Sequence, residues 1–179
     1  MIHIRIGKKY PPSFSLDVEF EAGDVVTVLF GPGGSGKTCV LEMLAGFVQP
    51  DSGRILRDDV LLFDAQANVH TPARRRSCGY VPQRDSLFPH MTARQNLAFA
   101  AAGARLERHR RIAEISERFA LAGVSALRPH DLSGEQKLRV TLARTLIASP
   151  KWLAIDREDR NKCVLSLIRD KRNLRILSG

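Results

Sequence analysis

Near the N-terminus apolar and polar residues alternate. Ile2, Ile4 and Ile6 form one such run, and Phe14, Leu16, Val18 and Phe20 form another. A period of two predicts half-buried strands, joined here through Tyr10-Pro11-Pro12. After a turn at Glu21 to Asp24, Val25 to Phe30 is almost continuously apolar, which predicts a strand covered on both faces. A glycine-rich stretch follows. Then Val40, Leu41, Leu44, Phe47 and Val48 carry helical spacing. Asp51-Ser52-Gly53 reads as a turn, and Ile55-Leu56 and Val60 to Phe63 as strands. Arg94 to Ala104 and Glu107 to Ala122 read as helices, with Ile112, Ile115 and Phe119 on one face of the second. Together they predict a helical lobe over about residues 84–130. Ser133 is placed to cap a further helix running to about Ala148. Lys151 to Ile155 reads as a short buried strand ending at Asp156. In the tail, Cys163, Val164, Leu167 and Ile168 share one helical stripe.

Composition narrows the class without fixing the chemistry. A chain of 179 residues supports one core with a small satellite lobe. No apolar run reaches the ~20 residues of a membrane helix. The opening MIHIRIGKKY lacks the apolar centre of a signal peptide, so a cytoplasmic protein is expected. Cys39, Cys78 and Cys163 are too widely spaced for a disulfide framework or a metal-ligand pair. The net charge of +9 changes the picture less than it promises. Arg74, Arg75 and Arg76 form only a short run, Arg108, Arg110 and Arg111 flank His109 on a helix, and aromatics are few. A solvated basic surface near lipid headgroups fits better than a nucleic-acid interface, so no nucleic acid is expected.

The chemistry begins at Gly31-Pro32-Gly33-Gly34-Ser35-Gly36-Lys37-Thr38, which matches G-x-x-x-x-G-K-[ST] between a predicted strand and a predicted helix. Gly31, Gly33, Gly34 and Gly36 let the backbone turn tightly, so that successive N–H groups converge on phosphate oxygens at the helix N-terminus. Lys37 can reach the β and γ phosphates, Ser35 lies within the cradle, and Thr38 can place its hydroxyl on Mg²⁺. The expected cofactors are ATP and Mg²⁺.

A second constellation narrows the reaction. Leu132-Ser133-Gly134-Glu135-Gln136 resembles the LSGGQ signature of ABC ATPases, with Glu135 at the second glycine. Gly79-Tyr80-Val81-Pro82-Gln83 followed by Leu87-Phe88-Pro89-His90-Met91-Thr92 resembles that family's Q-loop, and Trp152 to Asp156 resembles its Walker B strand. The resemblance covers residues 1–156. It implies an α/β P-loop NTPase fold of the ABC type, with an N-terminal antiparallel β lobe, an inserted helical lobe and the C-terminal part of the sheet missing. It implies that Lys37, Gln83 and Asp156 are catalytic and that Thr38, Gln83 and Asp156 attend the metal. It further implies that Ser133, Gly134 and Gln136 meet the ATP of a partner. Tyr10 resembles the aromatic that stacks on adenine, with Phe14 as its competitor. The implied partners are a second subunit across an ATP sandwich, as a homodimer or a pair, and transmembrane permease subunits at the inner face of the membrane. Arg74 through Phe99 most resembles importers of molybdate and related oxyanions.

The resemblance stops after Asp156. Arg157 stands where the family places the glutamate that polarises water, and arginine stays protonated. No histidine follows His130 to act as the family's switch residue. Residues 157–179 therefore read either as the product of a frame change or truncation, or as a divergent ending that gives up hydrolysis. An unpaired sheet edge is expected after the Walker B strand.

Overall fold

The structure, a computed structural model, describes residues 1–23, 26–84, 86–159 and 162–166. It divides into two compact units, one of Met1–Tyr80 with the chain from Lys151 onward and one of Val81–Pro150.

In the first unit the chain runs through β1 (Ile2–Tyr10), β2 (Phe14–Ala22), β3 (Val26–Phe30), α1 (Lys37–Ala45), β4 (Ser52–Arg57), β5 (Val60–Asp64), β6 (Val69–His70) and β7 (Cys78–Val81). The second unit holds α2 (Ala93–Ala100), α3 (Arg105–Arg118) and α4 (Gly134–Ile147), after which β8 (Trp152–Asp159) and β9 (Lys162–Ser166) rejoin the first. An antiparallel sheet has the order β2-β1-β4-β5-β6, and a second sheet has the order β3-β9-β8-β7. The alternation at Ile2, Ile4 and Ile6 turns all of them inward, where they pack with Val40, Leu41, Met43 and Leu44 of α1 and with Trp152 and Ala154 of β8. So α1 packs against both sheets. In β4, Gly53 has φ +92°, and a Cβ there would lie 2.0 Å from the carbonyl oxygen of Arg5. The predicted turn at Ser52-Gly53 is thus the start of a strand that only glycine can bring this close to β1.

Arg76, predicted on a basic surface, is fully buried. Its guanidinium donates to the carbonyls of Met43 (2.8 Å) and Leu44 (2.9 Å) at the C-terminal end of α1, and to those of Thr71 (2.7 Å) and Leu62 (3.3 Å). A cation here complements the negative end of the helix dipole and satisfies carbonyls the helix cannot. Burial pulls its pKa down to about 10. Gly46, at φ +87°, ends α1, and a Cβ on it would lie 2.6 Å from Arg76 Nε.

Three further expectations change. β3 is half-covered rather than buried on both faces: Val28 and Phe30 are exposed, and the strand ends the four-stranded order. Residues 24 and 25 of that predicted run lie outside the described residues. The Walker B strand does not stop at Asp156 but runs to Asp159. The tail stripe is a strand over Lys162–Ser166, not a helix, and Leu167 and Ile168 lie outside the described residues. β9 pairs antiparallel with both β3 and β8, so the edge expected to be left open after β8 is paired by the tail itself.

In the second unit Leu97, Ile112, Val140, Ala143 and Ile147 form the core, and Ile115 and Phe119 pack partly buried against it. Two of the α3 arginines are structural ties rather than a free basic surface. Arg108 donates to Ala98 O (3.3 Å), and Arg111 donates to Ile147 O (2.7 Å) and to Ser149 Oγ (2.5 Å). Both reach carbonyls near the C-terminal ends of neighbouring helices, where orphan acceptors collect.

Candidate functional site

The chain leaves β3 at Phe30, turns through the glycines and enters α1 at Lys37. Gly34 (φ +77°) and Gly36 (φ +89°) adopt the left-handed region that the turn requires. Ser35 N donates to Pro32 O at 3.3 Å, closing the turn. Pro32 to Ser35 are exposed, whereas Gly31 and Gly36 to Thr38 are half-buried. Gly36 is the N-cap of α1 and offers no side-chain acceptor. The first-turn amides of a helix have no acceptor within it, so this end keeps its donors and its positive potential for a ligand. Lys37 Nζ turns back into the loop, donating to Gly31 O and Pro32 O, both at 2.8 Å, with Ser35 Oγ at 3.4 Å. An ammonium has three donors. Two short bonds fix its position over the loop, and the long third one is the natural place for a phosphate oxygen.

Tyr10 and Phe14 lie beside the end of this loop and the first turn of α1, where Thr38 stands, and Asp156 lies near Glu42 one turn further along the same helix. Phe14 lies against the loop's end: a Cβ on Gly36 would be 3.0 Å from Phe14 Cζ and 2.7 Å from Leu16 Cδ1. The rings of Tyr10 and Phe14 are 5.9 Å apart, and Lys8 Nζ, paired with Asp51 at 2.6 Å, sits 5.9 Å from the Tyr10 ring. Burial, with a hydrogen bond to Cys39 in the first turn of α1, pushes the Tyr10 phenol up to about 12. Its ring is thus anchored beside the start of α1, and both aromatics named from the sequence belong to one pair.

Asp156 is buried on β8, with Tyr80 Oη donating to its Oδ2 at 3.5 Å. α1 packs on β8. Desolvation and then the charge of Asp156 raise the pKa of Glu42 on α1. Glu42 was not singled out from the sequence. Its spacing of i, i+4 from Thr38, which puts both on one helix face, was the signal available. A hydroxyl and a carboxylate are the hard oxygen donors that Mg²⁺ prefers, so Thr38 and Asp156 suit that ion. The side chain of Arg157 lies outside what the structure describes.

The second unit carries the other predicted residues. Gln83 lies in an exposed bend after β7. Ser133 is the N-cap of α4 and forms a full capping box. Its Oγ accepts from Gln136 N at 3.3 Å, and Gln136 Oε1 accepts from Ser133 N at 2.8 Å. The serine hydroxyl keeps its hydrogen to donate, and the amides of Gly134 and Glu135 remain in the first turn without intrahelical acceptors. Glu135, at the second glycine of the signature pattern, pairs with Arg139 at 3.2 Å, one turn along.

A glycine loop between strand and helix, with an inward lysine and an aspartate on a buried strand beside that helix, defines a P-loop nucleotide-binding cassette. The particular family follows from comparison: the family model described as ABC transporter matches residues 14–157, and the chain belongs to that family. It is 45% identical over 144 residues to the molybdenum import ATP-binding protein ModC of Rhodospirillum rubrum, covering 79% of this chain and 38% of that protein. It is 47% identical over 131 residues to the Fe(3+) ions import ATP-binding protein FbpC of Pseudomonas fluorescens, covering 73% of this chain and 36% of that protein. The chain therefore spans well under half the length of these relatives. Among solved structures, the ATP-binding cassette MJ0796, in a dimeric post-hydrolysis state bound to ADP and Pi, aligns with a TM-score of 0.69 at 26% identity, over 87% of this chain and 73% of that one. The cbiO1 protein of Clostridium perfringens, part of the ABC transporter complex cbiONQ, aligns with a TM-score of 0.69 at 24% identity, over 87% of this chain and 64% of that one, and supports the fold. No helix among the described residues is long and apolar enough to cross a membrane.

Proposed function

We propose that this chain binds ATP with Mg²⁺ at Gly31 to Thr38 and serves as the nucleotide-binding subunit of an importer, held at the inner face of the membrane by permease partners. The observation that carries the proposal is the N-terminus of α1, left without a side-chain cap and overlaid by the Lys37 ammonium. The amides from Gly33 to Thr38 bind the phosphates, and Lys37 adds a charge-assisted bond. Thr38 and Asp156 hold the metal, with Gln83 attending it and the attacking water. Bound Mg²⁺ would neutralise phosphate charge. Tyr10, backed by Phe14, receives the adenine face. Ser133, Gly134 and Gln136 address the nucleotide of a second subunit in a head-to-tail pair.

Relatives named for molybdenum and for ferric ion import support a metal-derived cargo equally well. The resemblance of Arg74 through Phe99 to oxyanion importers is what favours molybdate or a related oxyanion.

Arg157 carries a second reading, a nucleotide-binding module with little hydrolysis. Arginine cannot take a proton from water. Titration with a fluorescent ATP analogue and a phosphate-release assay test both readings. Lys37→Ala is expected to weaken binding about 10- to 100-fold, the worth of a hydrogen bond to a charged group. Unchanged affinity would remove the proposed site. Tight binding with negligible phosphate release selects the non-hydrolysing reading, whereas turnover at ordinary enzymatic rates of about 1 s⁻¹ or more rejects it.

A further inference from the structure

One side chain ties the signature helix to the segment that follows Gln83. Arg144, on α4, donates from Nη2 to Ser86 Oγ at 3.0 Å and from Nη1 to Asn96 Oδ1 at 3.3 Å. Its guanidinium carbon lies 5.3 Å from the centre of the Phe88 ring. Asn96 is fully buried and also turns its carboxamide to the same segment. Its Oδ1 accepts from Phe88 N at 2.9 Å, and its Nδ2 donates to Phe88 O (3.3 Å), Met91 O (3.2 Å) and Thr92 O (3.1 Å). Oδ1 is therefore shared between the Phe88 amide and Arg144. The shape of the 86–92 segment and the placement of α4 become one hydrogen-bonded object.

The chemistry of the tie is specific to arginine. The cation is half-buried, and neutral oxygens and a ring face hold it. Burial lowers its pKa accordingly. A planar fork can meet a hydroxyl and an amide oxygen at once while lying on an aromatic ring, and a lysine ammonium cannot. Ser86 is separated from Gln83 by two residues, so anchoring Ser86 limits where Gln83 can go.

We infer that Arg144 is a positioning residue: it holds the 86–92 segment, and through it Gln83, to the helix that starts at Ser133. The inference rests on the proposed roles of Gln83 and Ser133, and it deepens them by naming the side chain that couples them.

The test uses the full chain, as wild type, Arg144→Lys and Ser86→Ala. Amide hydrogen exchange is read at Phe88 and Met91, and the affinity for an ATP analogue is measured with and without Mg²⁺. Arg144→Lys is expected to speed exchange at both amides about tenfold, as for the loss of one hydrogen bond to a charged group, while α3 amides keep wild-type rates. The Mg²⁺-dependent gain in affinity is expected to shrink several-fold, with affinity in the absence of metal unchanged. Ser86→Ala should shift both readouts in the same direction by a smaller factor. A purely structural role predicts faster exchange throughout the second unit and equal weakening with and without metal, and that result overturns the inference. Unchanged exchange at Phe88 and Met91, or an unchanged Mg²⁺ gain, overturns it too. If the wild type binds no nucleotide, the proposed function fails, and the exchange measurement still decides whether Arg144 holds the segment.

Discussion

The N-termini of α1 and α4 start from similar sequence, a glycine beside a small polar residue, and reach opposite solutions. At α1 the cap position is Gly36, which contributes no side-chain acceptor. At α4 it is Ser133, which closes a reciprocal box with Gln136. α2 makes the α4 choice, with Thr92 and Gln95 forming the same box. A helix that caps itself is stable before any ligand arrives. A helix that withholds its cap leaves donors and dipole unspent, and its stability must come from burial elsewhere. α1 meets that need by burying Val40, Leu41, Met43, Leu44 and Ala45 and with Arg76 over its C-terminal carbonyls. The open end is affordable because the other end and the sides are so well held.

The sharpest way to break this comparison is Gly36→Ala. The left-handed backbone at φ +89° costs an alanine about 1–3 kcal/mol, and the new Cβ presses on Leu16 and Phe14. Urea unfolding should show a loss of that size, together with weakened nucleotide binding. A neutral result would mean that the loop does not need this geometry. Ser133→Ala is expected to cost about 1 kcal/mol, the usual worth of a lost cap, while leaving the isolated subunit's affinity for ATP unchanged. If nucleotide affinity fell instead, Ser133 would be serving its own subunit's ligand, and the two helix ends would not be distinct in role.

The smallest effect is a rate. Burial pushes the Cys78 thiol up to about 12, so at pH 8 it stays protonated and resists alkylation. Cys39 and Cys78 are both half-buried, and Cys39 lies in the first turn of α1, beside the proposed phosphate site. Peptide mapping after alkylation should find Cys39 modified first, and ATP should slow its modification without affecting Cys78. Equal protection of both, or of neither, would detach nucleotide binding from this end of α1.

What was legible in the sequence follows from how local each constraint is. The phosphate loop needs glycines, one lysine and one hydroxyl within eight positions, so Gly31 to Thr38 could be placed without any tertiary knowledge. β1 and β2 were equally readable, because Ile2, Ile4 and Ile6 fix which face is inside, whereas the two-residue β6 is too short to show a period. Arg76 was misread, since a buried arginine looks like its exposed neighbours Arg74 and Arg75 until the carbonyls around it are known. β3 was misread for a related reason. An uncharged apolar run does not tell whether its strand is central or at the end of a sheet. The tail failed because Cys163 and Val164 are compatible with either period, and only pairing with β3 and β8 decides between them. Arg144 and Asn96 were invisible as a pair, being joined by contacts 48 residues apart.

The most direct test of the contrast between the two helix ends is the amide spectrum of the isolated subunit during addition of a non-hydrolysable ATP analogue with Mg²⁺. The account predicts large shifts at Gly33, Gly34, Gly36, Lys37 and Thr38, and none at Ser133 to Gln136. Shifts centred on Ser133 to Gln136 with a silent Gly33 to Thr38 would contradict it.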